Sequence, residues 1–175
     1  AGSSNPSYGL LALKDMGWLT LYPELEALMG CAQQKRWHPE GDVWAHTCLV
    51  VDEAARLARL RCLNDKELLV LVFATLCHDF GKPAVTVMSK VGEVVAPGHA
   101  NAGLHPTTSF LKRIVAPRSV LIMVLPLVKE HGRHFSEQVT TSSVSSLAQR
   151  LAPATIKLCE VLTESDAYGC AALPK

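Results

Sequence analysis

The sequence has no C-x-x-C pair and no segment typical of a secretory signal. Its six cysteines are scattered, and most of them lie within apolar helical patterns. This distribution disfavours a disulfide framework and a structural zinc centre, and it is typical of reduced cysteines. The first ten residues have neither a charged start nor an apolar stretch, so they do not resemble a signal peptide. We therefore predict a cytoplasmic location.

Charge is also scarce, and its two signs are balanced. Charged residues make up 19% of the chain, with 17 Lys+Arg against 16 Asp+Glu. The absence of a basic arm disfavours a protein that coats nucleic acid nonspecifically, whereas a small anionic substrate is compatible with the composition. The longest largely apolar runs, residues 68–77 and 120–128, are about half as long as the roughly 20 residues that span a bilayer. The sequence thus predicts a globular protein without a membrane segment.

What the sequence does contain is a series of helix-length segments separated by Gly, Pro, Asn and Asp. Alternating β-branched residues are confined to a stretch around Gly92, which predicts an all-α fold with one short hairpin or extended loop. We expect Pro106 and Pro126 to kink or split their helices. A single domain should cover residues 1–175, of which residues 1–5 resemble a cloning remnant. The predicted helices cover about residues 7–17, 23–30, 43–61, 66–78, 99–115, 117–131, 142–151 and 154–168.

Spacing places two histidines and one aspartate on buried helix faces. Asp42 is a good N-cap for a helix whose apolar stripe includes His46. His78 ends the most apolar helix, and Asp166 shares a face with Leu162 in the last helix. A buried carboxylate is unfavourable unless it is paired or binds a metal. Imidazole and carboxylate groups from separate helices therefore predict a site for a divalent ion.

Each of these residues also has a simpler structural interpretation. His46 alone would more often be a hydrogen-bonded core histidine than a ligand. His78 and the adjacent Asp79 could cap their helix, because a cationic histidine favours the C-terminal end of the helix dipole. Asp166 could accept a hydrogen bond from a nearby backbone amide. The combination of all four, rather than any one residue, favours metal ligands.

The order His46, His78-Asp79, Asp166 resembles the H…HD…D signature of the HD-domain metal-dependent phosphohydrolases, an all-helical superfamily. Over about residues 9–169 the chain is similar to the C-terminal HD region of bacterial multifunctional CCA-adding tRNA nucleotidyltransferases. This resemblance implies an HD-type helical bundle. No Asp-x-Asp pair is present, so nucleotide addition is not expected. The segments that carry the likeness are YPELEALMG, WHPEGDVWAHT, LCHDFGKP, PGHANAG, VKEHGRH and ESDAYG.

The resemblance also implies a set of metal ligands. His99 and His131 would complete a second, weaker site bridged by Asp79, or they would line the substrate side. His99 could instead cap a helix, and His131 could be a cation near a helix C-terminus. Nitrogen and oxygen donors without a thiolate favour Mn²⁺, Ni²⁺, Mg²⁺ or Fe. One tightly bound ion is expected on His46, His78, Asp79 and Asp166.

Catalytic and substrate-binding roles follow from the same resemblance. One or two metal ions would neutralise phosphate oxygens and lower the pKa of a bound water. Asp79 and Lys82 are the candidate catalytic residues, and Lys82 and Arg133 are the candidate phosphate-binding residues. Both cations could instead be solvated loop residues. His38 and Glu40 could line the mouth of the site.

The implied function is hydrolysis of phosphate esters on nucleotides or RNA ends, with 2′,3′-cyclic phosphodiesterase, 2′-nucleotidase and phosphatase activity. The expected substrate is a nucleotide or an RNA 3′-end phosphate, and tRNA is a candidate partner. One alternative is a deoxynucleotide 5′-phosphatase. Another is a non-catalytic module of a CCA-adding enzyme that docks tRNA or mediates dimerisation. Ligand-type residues at all six candidate positions favour an enzyme.

Overall fold

The chain folds into a bundle of α-helices with one small hairpin. The computed structural model describes residues 3–132 and 140–170, and within them the all-α prediction is confirmed. A 3-10 turn, Trp18–Leu21, follows the first helix, and strands β1 (Val87–Met88) and β2 (Val94–Val95) pair antiparallel. The helices are α1 (Ser7–Asp15), α2 (Pro23–Glu26), α3 (Val43–Leu60), α4 (Asp65–Cys77), α5 (Lys82–Val85), α6 (His99–Ala102), α7 (Leu104–Arg113), α8 (Arg118–Glu130), α9 (Thr141–Leu151) and α10 (Ile156–Tyr168).

Short polar side chains determine where the two central helices begin. The predicted N-cap Asp42 accepts a hydrogen bond from Ala45 N at 2.9 Å, and its other oxygen accepts one from Gly30 N at 2.7 Å. Asn64 and Glu67 form a reciprocal capping box at the start of α4. These caps satisfy backbone donors that have no partner within the helix. The caps therefore fix the positions at which the site-bearing helices α3 and α4 start.

Helix α4 lies at the centre of the bundle. It packs against α3, α8 and α10, and Val70, Leu71 and Ala74 are completely buried. Within the described residues, one helical stretch, Asp65–Val85, has the length and mean hydropathy (1.5) that a membrane span requires. Since more than half of its most apolar part is buried inside the protein, it also fits the core helix of a globular fold. It is weak evidence for a membrane span.

The two internal prolines behave differently from the expectation. Residues 99–115 do form two helices, but the break between α6 and α7 lies at Gly103 rather than at Pro106. Pro106 lies in the first turn of α7, where backbone N–H groups have no intrahelical partner. Pro126 lies inside α8, which continues through it as one helix. Pro126 therefore does not split its helix, and the alternative outcome, a kink, stays a prediction.

The shorter elements depend on glycines with positive φ. The helix predicted over residues 23–30 is limited to α2, and Gly30, with a φ of +72°, turns the chain before α3. Gly92, with a φ of +79°, lies between the strands, so the predicted hairpin is confirmed.

All six cysteines are free, as expected. Cys77 and Cys159 are buried, whereas Cys62 is exposed, so only some of the cysteines are core residues.

Candidate metal centre

Six side chains from five parts of the fold meet beyond the C-terminal end of α4. His46 lies in the first turn of α3, His99 begins α6, and Asp166 lies near the end of α10. His78 and His131 directly follow α4 and α8. The packing of α4 against α3, α8 and α10 thus brings together residues that are far apart in sequence. The six are His46, His78, Asp79, His99, His131 and Asp166.

One group of donors lies between α3, α4 and α10. Nε2 of His46 is 2.9 Å from Oδ1 of Asp166, and Nε2 of His78 is 3.6 Å from the same oxygen. Nε2 of His78 is also 3.2 Å from Oδ2 of Asp79. The donor atoms of His46, His78 and Asp79 all lie within 4.8 Å of one another. His46, His78 and Asp79 are buried, while the side chain of Asp166 is 31% exposed.

A second group of donors lies on the other side of Asp79. Oδ1 of Asp79 is 3.7 Å from Nε2 of His99 and 3.9 Å from Nε2 of His131. These three residues also have their donor atoms within 4.8 Å of one another. Asp79 therefore presents one oxygen to each group. This is the arrangement expected of a carboxylate that bridges two cation sites.

In each of the four histidines at the centre, Nδ1 has a hydrogen-bond acceptor. Nδ1 of His78 donates to Thr75 O at 2.6 Å, and Nδ1 of His131 donates to Val128 O at 2.6 Å. Nδ1 of His99 donates to Ala96 O at 2.9 Å, and Nδ1 of His46 donates to Oε1 of Glu40 at 2.9 Å. In a neutral imidazole, a proton on Nδ1 leaves a lone pair on Nε2. All four Nε2 atoms are therefore oriented toward the centre, where each can bind a metal ion once it carries no proton.

Electrostatics favour positive charge on the His78 side of this centre and disfavour it on His131. Burial would raise the pKa of Asp79, but His78 and Lys82 hold that pKa well below its usual range. Burial would lower the pKa of His78, but Asp79 and Asp166 raise it to about 9. For His131, burial and the nearby charge of His78 lower the pKa to about 4. The carboxylates thus remain anionic at neutral pH and require cationic neighbours.

The donor set fits a divalent ion. Nε2 of His78 is buried and makes no hydrogen bond of acceptable geometry to any described residue, although it faces the carboxylates of Asp79 and Asp166. A cation between these groups would satisfy the unpaired nitrogen and both anions. The donors are imidazole nitrogens and carboxylate oxygens, which suit several divalent ions better than a structural thiolate zinc centre does.

A close backbone contact determines the position of His99. A Cβ atom at Gly81 would lie 2.0 Å from the carbonyl oxygen of His99 and 2.5 Å from the nitrogen of Gly103. Only glycine can bring the turn after Asp79 this near to α6. Gly81 therefore places His99 opposite Asp79.

Curated relatives of the chain are named multifunctional CCA proteins. The protein from Psychromonas ingrahamii is 33% identical over 130 residues, which is 74% of this chain and 29% of the relative. The proteins from Methylococcus capsulatus and Pasteurella multocida are 32% and 33% identical, over 83% and 84% of the chain. The chain is related to the multifunctional CCA proteins. It spans about a third of the length of these relatives. No family model matches the chain, and no solved structure matches it.

Lys82, one of the two candidate phosphate-binding residues, lies at the metal centre of this relative of the CCA proteins. Nζ of Lys82 is 2.6 Å from Oδ2 of Asp79, and the lysine side chain is only 13% exposed. Lys82 is therefore not a solvated loop residue. Arg133 lies outside the described residues.

Two further residues at the centre were not assigned a direct contact by the sequence interpretation. Oε1 of Glu40 accepts hydrogen bonds from Nδ1 of both His38 and His46, each at 2.9 Å. Glu40 was expected only near the mouth of the site, and its proximity to His46 in sequence was the available signal. Oε1 of Gln33 accepts a hydrogen bond from Nζ of Lys82 at 2.6 Å. Nothing in the sequence indicated this contact, because Gln33 is one of two adjacent glutamines in a polar loop.

Proposed function

We propose that this chain is a metal-dependent phosphohydrolase of the HD type that acts on phosphate esters of nucleotides or RNA ends. The observation that carries the proposal is the position of Asp79 between two groups of oriented histidine Nε2 atoms. Paired sites of this kind suit in-line displacement at phosphorus, in which negative charge develops on the attacking and leaving oxygens. The relationship to multifunctional CCA proteins supports an RNA end as one substrate.

The ligands of a tightly held ion would be His46, His78, Asp79 and Asp166. A bound Mn²⁺, Ni²⁺, Mg²⁺ or Fe ion would lower the pKa of a water molecule and neutralise phosphate oxygens. His99 and His131 would bind a weaker second ion or contact the substrate. The remaining residues orient this set, because Glu40 fixes His46 through Nδ1 and Gly81 fixes the position of His99.

Lys82 supplies a fixed positive charge next to Asp79. Its ammonium group lies 2.6 Å from Oδ2 of Asp79, and a lysine in this position would form a charge-assisted hydrogen bond with a phosphate oxygen. Asp79 and Lys82 are thus the proposed catalytic residues, and Arg133 is proposed to bind the phosphate. Nucleotide addition is not part of the proposal, since no Asp-x-Asp pair is present in the sequence.

The test combines metal analysis with turnover. Purified protein is analysed for bound metals, and hydrolysis of bis-p-nitrophenyl phosphate, a 2′,3′-cyclic nucleotide, a 2′-nucleotide and a deoxynucleotide 5′-phosphate is measured with each candidate ion. We expect metal-dependent hydrolysis of the cyclic phosphodiester and the 2′-nucleotide. A preference for the deoxynucleotide 5′-phosphate would instead indicate the alternative function, a deoxynucleotide 5′-phosphatase. Absence of all turnover at saturating metal would refute the enzyme and favour a tRNA-docking or dimerisation module.

A further inference from the structure

Gln33 is a buried side chain that lies beside Lys82. It belongs to the loop between α2 and α3, and it is 8% exposed. This loop is held in place from two sides, because Cys31 O accepts a hydrogen bond from Val43 N at 3.0 Å and Cys31 Sγ lies 3.7 Å from Oγ1 of Thr86. The loop is therefore anchored, two residues before Gln33, to the start of α3 and to Thr86, the residue that follows α5.

The orientation of the Gln33 carboxamide follows from its partner. A lysine ammonium group only donates hydrogen bonds, so the atom of Gln33 that lies 2.6 Å from Nζ of Lys82 is the acceptor Oε1. The amide nitrogen Nε2 then points away from Lys82. It is buried and has no hydrogen-bond partner among the described residues.

A buried donor without a partner is unfavourable, and it needs an explanation. Nε2 of Gln33 lies one carboxamide width from an oxygen that holds Lys82, and Lys82 in turn contacts Asp79. The donor thus belongs to the residue that holds Lys82, the lysine proposed to bind the phosphate. Nε2 of Gln33 therefore needs a hydrogen-bond acceptor. The non-bridging oxygens of a phosphate ester are such acceptors.

We propose that Nε2 of Gln33 donates a hydrogen bond to a non-bridging phosphate oxygen of the substrate, on the same side of Asp79 as Lys82. This inference rests on the proposed function. Oε1 of Gln33 keeps the Lys82 ammonium group in place while Nε2 binds the ligand. Gln33 is a substrate-binding residue in this arrangement, and its hydrogen bond is to Lys82 rather than to a candidate metal ligand.

The test measures phosphate binding as well as turnover. Inorganic phosphate is titrated by calorimetry into Ni²⁺-loaded wild type, Gln33→Leu and Gln33→Glu, and the KM for bis-p-nitrophenyl phosphate is measured in parallel. Gln33→Leu removes the donor together with the acceptor that holds Lys82, and we expect about a tenfold to hundredfold weaker phosphate affinity, as for the loss of a hydrogen bond to a charged group. Gln33→Glu retains an acceptor for Lys82 but offers no donor, so its phosphate affinity should fall at least as far.

Gln34→Leu is the matched control, because it removes the same chemical group one residue further along the same loop. Its phosphate affinity should equal that of the wild type, and all variants should retain wild-type helix content and metal stoichiometry. Unchanged phosphate affinity in Gln33→Leu or Gln33→Glu would overturn the inference, as would a wild type that binds no phosphate. If phosphate binding depends on Gln33 but the wild type hydrolyses no ester, the hydrolase proposal fails and the phosphate site stands.

Discussion

Nε2 of His99 lies 3.2 Å from Nε2 of His131, while both rings donate their Nδ1 proton to a backbone carbonyl. In neutral rings the two Nε2 lone pairs would face each other, which is repulsive unless a proton or another cation lies between them. Oδ1 of Asp79 lies within 3.9 Å of both nitrogens. This pair therefore has the features of a cation site that is separate from the His46 and His78 side.

Replacing His99 with Ala should remove a weak metal-binding event and leave a tight one. The reason is that His99 lies on the Oδ1 side of Asp79, whereas the tight ion is proposed to lie on the Oδ2 side. Calorimetric titration of metal-free protein with Mn²⁺ measures both metal-binding events. His105→Ala, an exposed histidine on α7, is the control. Loss of the tight binding event in His99→Ala would contradict the division into two separate groups of ligands. Two fully occupied metal sites in protein purified without added metal would contradict a weak second site.

Asp79→Ala should abolish phosphodiesterase turnover and leave the helical fold intact. Asp79 presents one oxygen to each group of histidines, so its loss affects both sites, yet it lies outside α4 in the turn that follows. We expect a fall in turnover of at least about a hundredfold with unchanged far-ultraviolet circular dichroism. Asp65→Ala at the exposed start of α4 is the control. Wild-type turnover by Asp79→Ala at saturating metal would exclude the proposed role.

Glu40→Ala should weaken binding of the tight ion by about tenfold to a hundredfold, the usual effect of removing a residue that orients a ligating histidine. Glu40→Ala removes the carboxylate that accepts the Nδ1 proton of His46. Glu40→Gln should recover part of the affinity, because its amide oxygen can still accept that proton. Glu24→Ala, which removes a largely buried carboxylate paired with Arg113, should bind metal as the wild type does. Equal metal affinity in Glu40→Ala and wild type would show that His46 needs no positioning.

Gly81→Ala should destabilise the protein and displace His99. The new Cβ would lie 2.0 Å from His99 O, and overpacking of this kind typically costs about 1–3 kcal/mol. For a chain of this size we expect the Tm to fall by about 3–10 °C, with loss of the weak metal-binding event. Gly9→Ala, where an added Cβ meets nothing within 4 Å, should not lower the Tm. An unchanged Tm for Gly81→Ala would show that the turn can move away from α6 at no cost.

Chelation should lower the Tm of metal-loaded protein. An ion that binds only the folded state at about 100 times its Kd adds about 2.7 kcal/mol to the free energy of unfolding, which corresponds to about 5–10 °C here. Thermal scans before and after treatment with EDTA measure the shift, and added Mn²⁺ should restore it. If Asp79→Ala showed the same shift as wild type, the stabilising ion would lie elsewhere.

Helical periodicity and capping were sufficient to predict much of the fold. The Asp42 cap and the stripe containing His46 predicted α3 to within one residue of its end. The close approach of Gly81 to Gly103 was not predictable, because the two glycines are distant in sequence. Gln33 could not be found for the same reason. Its significance comes from Lys82, 49 residues away along the chain, and no local pattern indicates that contact.

His78 and His131 each donate Nδ1 to a carbonyl three residues earlier, in α4 and α8 respectively. Each imidazole is thereby a rigid extension of its own helix rather than a freely rotating side chain. The gap between the two rings is then set by how α4 and α8 dock along their apolar faces. Because His78 and His131 belong to different donor groups on either side of Asp79, the packing of α4 against α8 sets the separation of the two proposed cation sites, through apolar residues that contact neither ion.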